Sequence, residues 1–337
     1  MTKRRKVLIG VVLILAAGLY YYVALPAVNL HSSETWFALL FLLVILAALY
    51  LVKKRPGRGE IRQNKVLKGF AFLILALGIV YLAGTLLSSP IVNAKKFQQL
   101  MKVEEGEFTE DIEELSFDQI PILDRDTAAI LGDRKMGSMV DMVSQFDVDD
   151  IYSQINYQDR PYRVTPLKYA SIIKWFTNRS EGIPAYIRIN MADQTTELVQ
   201  LEEGIRYTTS EHLNRNIYRH LRFAHPTYIY GELSFEIDEE GVPYWIAPVK
   251  KFNIGLFGGE TVGKVVICNA VNGEMKTYDI EDVPQWVDRV YSADLLVDLF
   301  DYYGTLKHGF WNSVLSQKDC LKTTEGYNYL ALNDDVW

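Results

Sequence analysis

Three uninterrupted apolar runs, Val7–Val28, Trp36–Val52 and Gly69–Ser89, occupy the first ninety residues, and none contains a charged side chain. A helix of 21 residues rises about 31 Å, close to the ~30 Å hydrocarbon core of a bilayer. The pattern therefore predicts three transmembrane helices, at about 7–28, 36–52 and 69–89. A cleaved signal peptide does not fit the first run, which is long and lacks a small-x-small site behind it. Aromatic residues Tyr20, Tyr21, Tyr22, Trp36, Tyr50 and Tyr81 lie toward the ends of the runs, as interfacial anchors do.

Beyond Pro90 the periodicity changes. Asn93–Met101 reads as a short amphipathic stalk and continues into an acidic stretch, so that 91–118 forms a stalk or linker. Asp126–Leu131 and the residues from Lys135 have helical spacing, with Asp147, Asp149 and Asp150 as cap and turn. Pro166–Phe176 reads as a helix with a buried stripe. Tyr186–Ile189, a turn at Asn190–Gln194 and Thr196–Leu201 form strand, turn and strand. Val265–Cys268, Asn269–Gly273 and Met275–Ile280 repeat that order 79 residues later, with Asn272-Gly273 a strong hairpin signal. A helix is expected after each hairpin. One is Ser210–Leu221, with Thr208 and Glu211 spaced as a capping box, and the other is Ser292–Phe300. A second echo, Gly182-Ile-Pro against Gly241-Val-Pro, has an offset of 59. The fold class expected is an α+β extracytoplasmic region of hairpin-plus-helix units, possible duplicates of each other, behind three N-terminal transmembrane helices. The units fall at 119–230 and 231–337. Gly326–Asn333 begins like another strand and is followed by Asp334-Asp335-Val336-Trp337, which reads as a boundary within a longer chain.

Charge sharpens the division. Residues 1–90 carry eleven Lys/Arg against Glu34 and Glu60, a formal +9, whereas residues 91–337 hold 24 Lys/Arg against 40 Asp/Glu, or −16. That acidity excludes nucleic acid as a partner, because phosphate would be repelled. The loop at 53–68 has Lys53, Lys54, Arg55, Arg58, Arg62, Lys65 and Lys68 against a single acid, while Asn29–Thr35 has neither Lys nor Arg. Positive-inside then puts the N-terminus and the 53–68 loop in the cytoplasm. An odd number of spans delivers everything after about residue 90 to the outside of a bacterial cell membrane. No charged residue and no histidine lies within a span, which argues against an ion path.

Catalytic patterns fail on inspection. Gly258–Lys264 fits the start of a phosphate-binding loop, but Val265 stands where Ser or Thr should meet magnesium. A strand-like run follows where a helix N-terminus is required. Ser171-x-x-Lys174 matches the first element of serine acyl enzymes without the companion elements. His212 and His220 lack the spacing and the Glu of a zinc helix. The acids of 104–114 have no calcium-loop geometry. Cys268 and Cys320 are the only cysteines and read as structural or free thiols, with one disulfide between them the alternative outside a cell. No cofactor and no metal are expected, and catalytic residues are not assigned. Outer aromatics with one cation, Trp175, Arg179, Tyr186, Trp245 and Trp286, form the candidate binding surface.

At Asp124-Arg-Asp-Thr-Ala128, Trp175-Phe-Thr-Asn-Arg-Ser-Glu-Gly-Ile-Pro-Ala-Tyr186, His220-Leu-Arg-Phe223 and Asp282-Val-Pro-Gln-Trp-Val-Asp-Arg-Val-Tyr-Ser-Ala293, the chain resembles a family of bacterial multi-pass membrane proteins with a large extracytoplasmic domain. The resemblance covers nearly all of the outer part, carries over no catalytic residue, and implies a chain continuing past Trp337. The strand–turn–strand units are similar to PepSY-type domains, which implies inhibition or regulation of extracytoplasmic enzymes. The function expected is a membrane-anchored extracytoplasmic binding or regulatory module of the cell envelope. Its partners would be the lipid bilayer and another envelope or membrane protein. Alternatives are an envelope hydrolase with a site assembled from distant residues, or a scaffold subunit of a membrane complex.

Overall fold

The structure is a computed structural model that describes residues 3–54, 58–61, 63–104, 106–107, 114, 116–324, 331–332 and 335–336. Helix α1 spans Lys3–Ala24 and α2 spans Ser33–Lys54. Helix α3 spans Lys65–Leu87, four residues earlier than the apolar run begins, because the Asn64 side chain caps it by accepting from the amides of Val66 and Leu67. Among the described residues α2 and α3, of 22 and 23 residues, are each long and apolar enough to cross a membrane. They run antiparallel. Tyr50 Oη bonds Asn64 Oδ1 at one end (3.3 Å), and Tyr81 packs on Trp36 and Phe37 at the other. Phe41, Phe72, Leu75 and Leu82 are exposed.

Helix α4, Pro90–Gln98, starts on the proline that α3 cannot accommodate. It is no free stalk. Phe97 is buried against Ile254 and Leu306, with its ring 5.0 Å from that of Tyr302. Most of the acidic stretch at 104–115 lies outside the described residues. Helix α5, Arg125–Gly137, is capped by Asp124, which accepts from the Thr127 amide.

A five-stranded antiparallel sheet follows. Strands β1 (Phe146–Val148) and β2 (Ser153–Tyr157) lie in succession along one side of β3 (Arg160–Tyr169). Asp147 is thus in a strand, and only Asp149 and Asp150 make the bend. Helix α6 is Ile172–Asn178, capped by Ser171. The helix expected over Pro166–Phe176 is therefore half strand. A strand buried on both faces mimics helical spacing over four residues, and Pro166 takes part in β3 without needing an N–H. Strands β4 (Ile183–Asn190) and β5 (Thr196–Ile205) complete the sheet as the expected hairpin.

Helix α7 is Ile217–Ala224, with Asn216 as its cap. The capping box at Thr208 and Glu211 does not form. Thr208 Oγ1 bonds the Ser210 amide, and Glu211 is taken by Trp175, so the helix starts later than expected. Strands β6 (Ser234–Ile237), β7 (Pro243–Ile254), β8 (Gly258–Asn269) and β9 (Met275–Asp279) form a second, four-stranded antiparallel sheet in sequence order. Gly258–Lys264 is part of β8, not a loop. Helix α8, Ala293–Thr305, is capped by Ser292 and runs five residues past the expected end at Phe300. Of Gly326–Asn333, only Ala331–Leu332 is described, and it pairs with Asp335–Val336.

The two sheets share one core. Tyr186 of β4, Phe235 of β6 and Trp245 of β7 make a continuous aromatic contact, with ring centroids 6.1 and 5.3 Å apart. The Phe235 amide donates to Ser153 Oγ (2.9 Å), joining the β6 and β2 edges. The far face of the second sheet, Ile246, Val265 and Ile267, is covered by Trp286, Val287, Val290 and Leu295. Cys268 and Cys320 are free thiols, and burial pushes the Cys268 thiol up to about 12.

Candidate functional site

The longest-range polar contacts converge where the β7–β8 hairpin meets the helix ends. The hairpin tip is Gly255-Leu256-Phe257. Gly255 and Gly259 have φ of 62° and 64°, a region that favours glycine. Ser88, just past α3, donates to Gly84 O (2.6 Å) and accepts from the amides of Leu256 (2.8 Å) and Phe257 (3.1 Å). A Cβ on Gly258 would collide with the Ser88 carbonyl, so the approach requires glycine there. Phe257 packs on Tyr81 and Trp36, with ring centroids at 5.2 and 6.3 Å. His31 Nδ1 lies 2.7 Å from Leu256 O.

A second set of contacts holds the end of α1. Arg219 Nε donates to Tyr22 O (3.1 Å) and Arg222 Nε donates to Leu25 O (2.8 Å). Cations at a helix C-terminus suit the partial negative charge of its last carbonyls. Arg222 is buried, and that burial pushes its guanidinium down from the usual range. The Val28 amide adds a bond to Pro226 O (2.9 Å). The α+β part is therefore fastened to the same end of α1, α2 and α3.

A cavity of 630 Å³ opens between this hairpin, the α3–α4 turn and α8. Its polar wall includes Glu232, Lys250, Glu260, Arg289, Asp294 and Asp298. Lys250 Nζ pairs with Glu260 Oε1 (2.7 Å). Burial pushes the Asp298 carboxyl above its ordinary value, and the charges of Asp294, Asp301 and Glu260 add to that push. Neither His nor Cys lines the cavity among the described residues. The Ser88 hydroxyl is committed to backbone groups. Acids and cations together give this wall the chemistry to hold a polar ligand of mixed charge.

No family model, no curated protein and no solved structure matches the chain. The site's chemistry thus rests on its own residues.

The sequence-derived surface is dispersed. Trp175 and Arg179 are together, the guanidinium 5.1 Å from the ring centroid, but Trp175 is buried and its Nε1 donates to Glu211 Oε2 (2.6 Å). Tyr186 and Trp245 are each 0% exposed. Tyr186 Oη donates to Gly241 O, and Trp245 Nε1 to Tyr207 O. These two build the core and present no surface, because large aromatic rings bury more apolar area than any other side chain. Trp286 packs on Tyr244, ring centroids 5.0 Å apart and planes tilted by 40°, on the far face of the second sheet. His212 and His220 do not share a helix. No group of three His, Cys, Asp or Glu able to hold a metal occurs among the described residues.

Sequence reasoning missed Ser88, Gly258, Arg219, Arg222 and Asp298. One signal was present: the glycines Gly255, Gly258 and Gly259 crowd the join of two strand-like runs, where only close backbone approach or a tight turn requires them. Nothing near Ser88 in sequence marks it as their partner.

Proposed function

We propose that the protein is a membrane-anchored extracytoplasmic binding and regulatory module of the bacterial cell envelope. Helices α2 and α3 cross the membrane, with α1 as a third span. The basic loop between α2 and α3 faces the cytoplasm, and the α+β part faces outward. The cavity beside α8 takes a polar ligand, and its occupancy biases how the β7–β8 tip sits on α3. The observation that carries this reading is the bonding of Ser88 to the Leu256 and Phe257 amides. It makes one wall of the cavity and the end of an apolar helix a single unit.

The outer part is a duplication in this reading. Asn190 Oδ1 accepts from the amides of Ala192 (2.8 Å) and Asp193 (3.2 Å), and Asn269 Oδ1 from those of Val271 (2.9 Å) and Asn272 (3.0 Å). The Met191 amide donates to Pro161 O (2.9 Å) and the Ala270 amide to Pro243 O (3.0 Å). These matches support pairing β3, β4 and β5 with β7, β8 and β9. In that pairing a helix follows each hairpin, α7 after β5 and α8 after β9. The echo between Gly182 and Gly241 belongs to a different pairing, since Gly182 leads into β4 and Gly241 into β7. Regulatory PepSY-type units remain the family likeness to test.

Topology is tested with an impermeant maleimide on single-cysteine variants. Glu239→Cys should label on intact cells and Lys54→Cys only after permeabilisation. The reverse pattern sinks the proposal.

A further inference from the structure

A second cavity, of 820 Å³, lies on the α1 side of the β7–β8 tip. Its walls combine the ends of apolar helices, among them Val23, Ala24 and Tyr81, with Arg219, Arg222 and Lys250. Below it, between α1 and α2, runs an apolar slot of 520 Å³ lined by Tyr20, Phe37, Ala38 and Phe41. The two spaces share Ala24 and Glu34, so they adjoin. Together they make a compartment with cations at one end and hydrocarbon-like walls at the other.

The cations are not fully used by the protein. Arg219 bonds through Nε and Nη1 to the carbonyls of Tyr22, His212 and Leu213. Arg222 bonds through Nε and Nη1 to those of Leu25, Pro226 and Tyr228. Neither Nη2 has an acceptor, and neither guanidinium has a carboxylate within ion-pair distance, among the described residues. Lys250 is offset by Glu260 from outside the cavity, and Glu34 is the one acid on these walls among the described residues, so the polar end keeps a net positive charge. A guanidinium with spare N–H groups is the preferred partner of a phosphate oxygen.

We propose that this compartment holds one anionic phosphoglycerolipid from the outer leaflet. Its phosphate sits between Arg219 and Arg222, and one acyl chain lies in the slot between α1 and α2. The proposal rests on the membrane reading above. It makes the lipid part of the junction, contacting both the helix ends and the outer domain.

The test uses the full chain in nanodiscs carrying phosphatidylglycerol or phosphatidylcholine with the same diazirine-bearing acyl chain. Adducts are mapped by mass spectrometry. Slot residues Tyr20, Phe37 and Phe41 should label about tenfold more with the anionic lipid, because the choline cation of the other lipid offsets its phosphate charge beside the two arginines. Ala38→Trp, which fills the slot without touching an arginine, should abolish that labelling. Phe72 and Leu75, exposed on α3, should label equally with both lipids and be unaffected by Ala38→Trp. Equal labelling of the slot by both lipids, or slot labelling that survives Ala38→Trp, overturns the proposal and leaves the membrane reading intact. Absence of label at Phe72 and Leu75 with either lipid overturns the membrane reading itself, and the proposal with it.

Discussion

Each sheet holds a hairpin closed by an Asn-led turn, β4–β5 in the first and β8–β9 in the second, and the connection before that hairpin differs. In the first, β3 and β4 are joined through α6, and the strands stop at the sheet. In the second, β7 and β8 are joined by a three-residue turn, Gly255 to Phe257, and each strand runs for 12 residues. The shorter connection gives the longer strands, and the extra length carries the tip onto Ser88. One core topology thus supports two roles. The first sheet is enclosed in the shared core, while the second sheet reaches out of it to the helices.

The largest expected effect comes from breaking that reach. Gly258→Val places a side chain against the Ser88 carbonyl and should cost about 3 kcal/mol, the upper range for overpacking. Thermal unfolding should shift down, and protease should cut at the tip before it cuts either sheet. The matched variant in the first sheet is Gly182→Val, at φ +85° with Ile205 O 2.6 Å from the would-be Cβ. It should instead loosen β4 from β5 and leave the tip protected. If both variants expose the same sites, the two regions do not differ as described.

Ser88→Ala is milder. It leaves the Leu256 and Phe257 amides without their acceptor, which should cost about 2 kcal/mol. Hydrogen exchange should quicken at those two amides and not at the β4–β5 turn.

Asn190→Ala and Asn269→Ala sharpen the likeness instead of the difference. Each removes an acceptor of two turn amides and should cost about 1 kcal/mol. Equal losses fit a repeated turn. A loss confined to one of them counts against duplication.

The smallest effect is a slope with pH. Burial pushes the Glu236 and Glu211 carboxyls above their ordinary value of 4.5. Each therefore binds its proton more tightly when folded. Its stabilisation is complete below about 4.5 and is lost as pH rises through the folded-state value. Unfolding temperature should fall from about pH 4.5 toward neutrality on their account, less steeply in Glu236→Gln. Asp124 and Asp193 act in the opposite sense at lower pH. Amides at their turns hold them below 3.8, so their contribution is lost on further acidification. An unchanged slope in Glu236→Gln would contradict the burial of that carboxyl.

Much of the fold was legible because its signals are local. The apolar runs, the turn chemistry at Asn190 and Asn269, and the helix that starts near Ser292 each depend on residues within a turn or two of one another. The start of α7 was misread for the same reason reversed. Thr208 and Glu211 have capping-box spacing, yet their side chains are claimed by Ser210 and by Trp175, the latter 36 residues away.

By itself the sequence determined two long apolar helices and an antiparallel α+β part that follows them, since hydrophobic period and turn residues act over short range. Only the tertiary structure decided which aromatics are core. Tyr186 and Trp245 vanish into it, because burial is a property of the packed whole. The junction is likewise tertiary. Ser88 and Leu256 are 168 residues apart, and no local preference reports that a serine at one helix end will receive a hairpin from the far half of the chain.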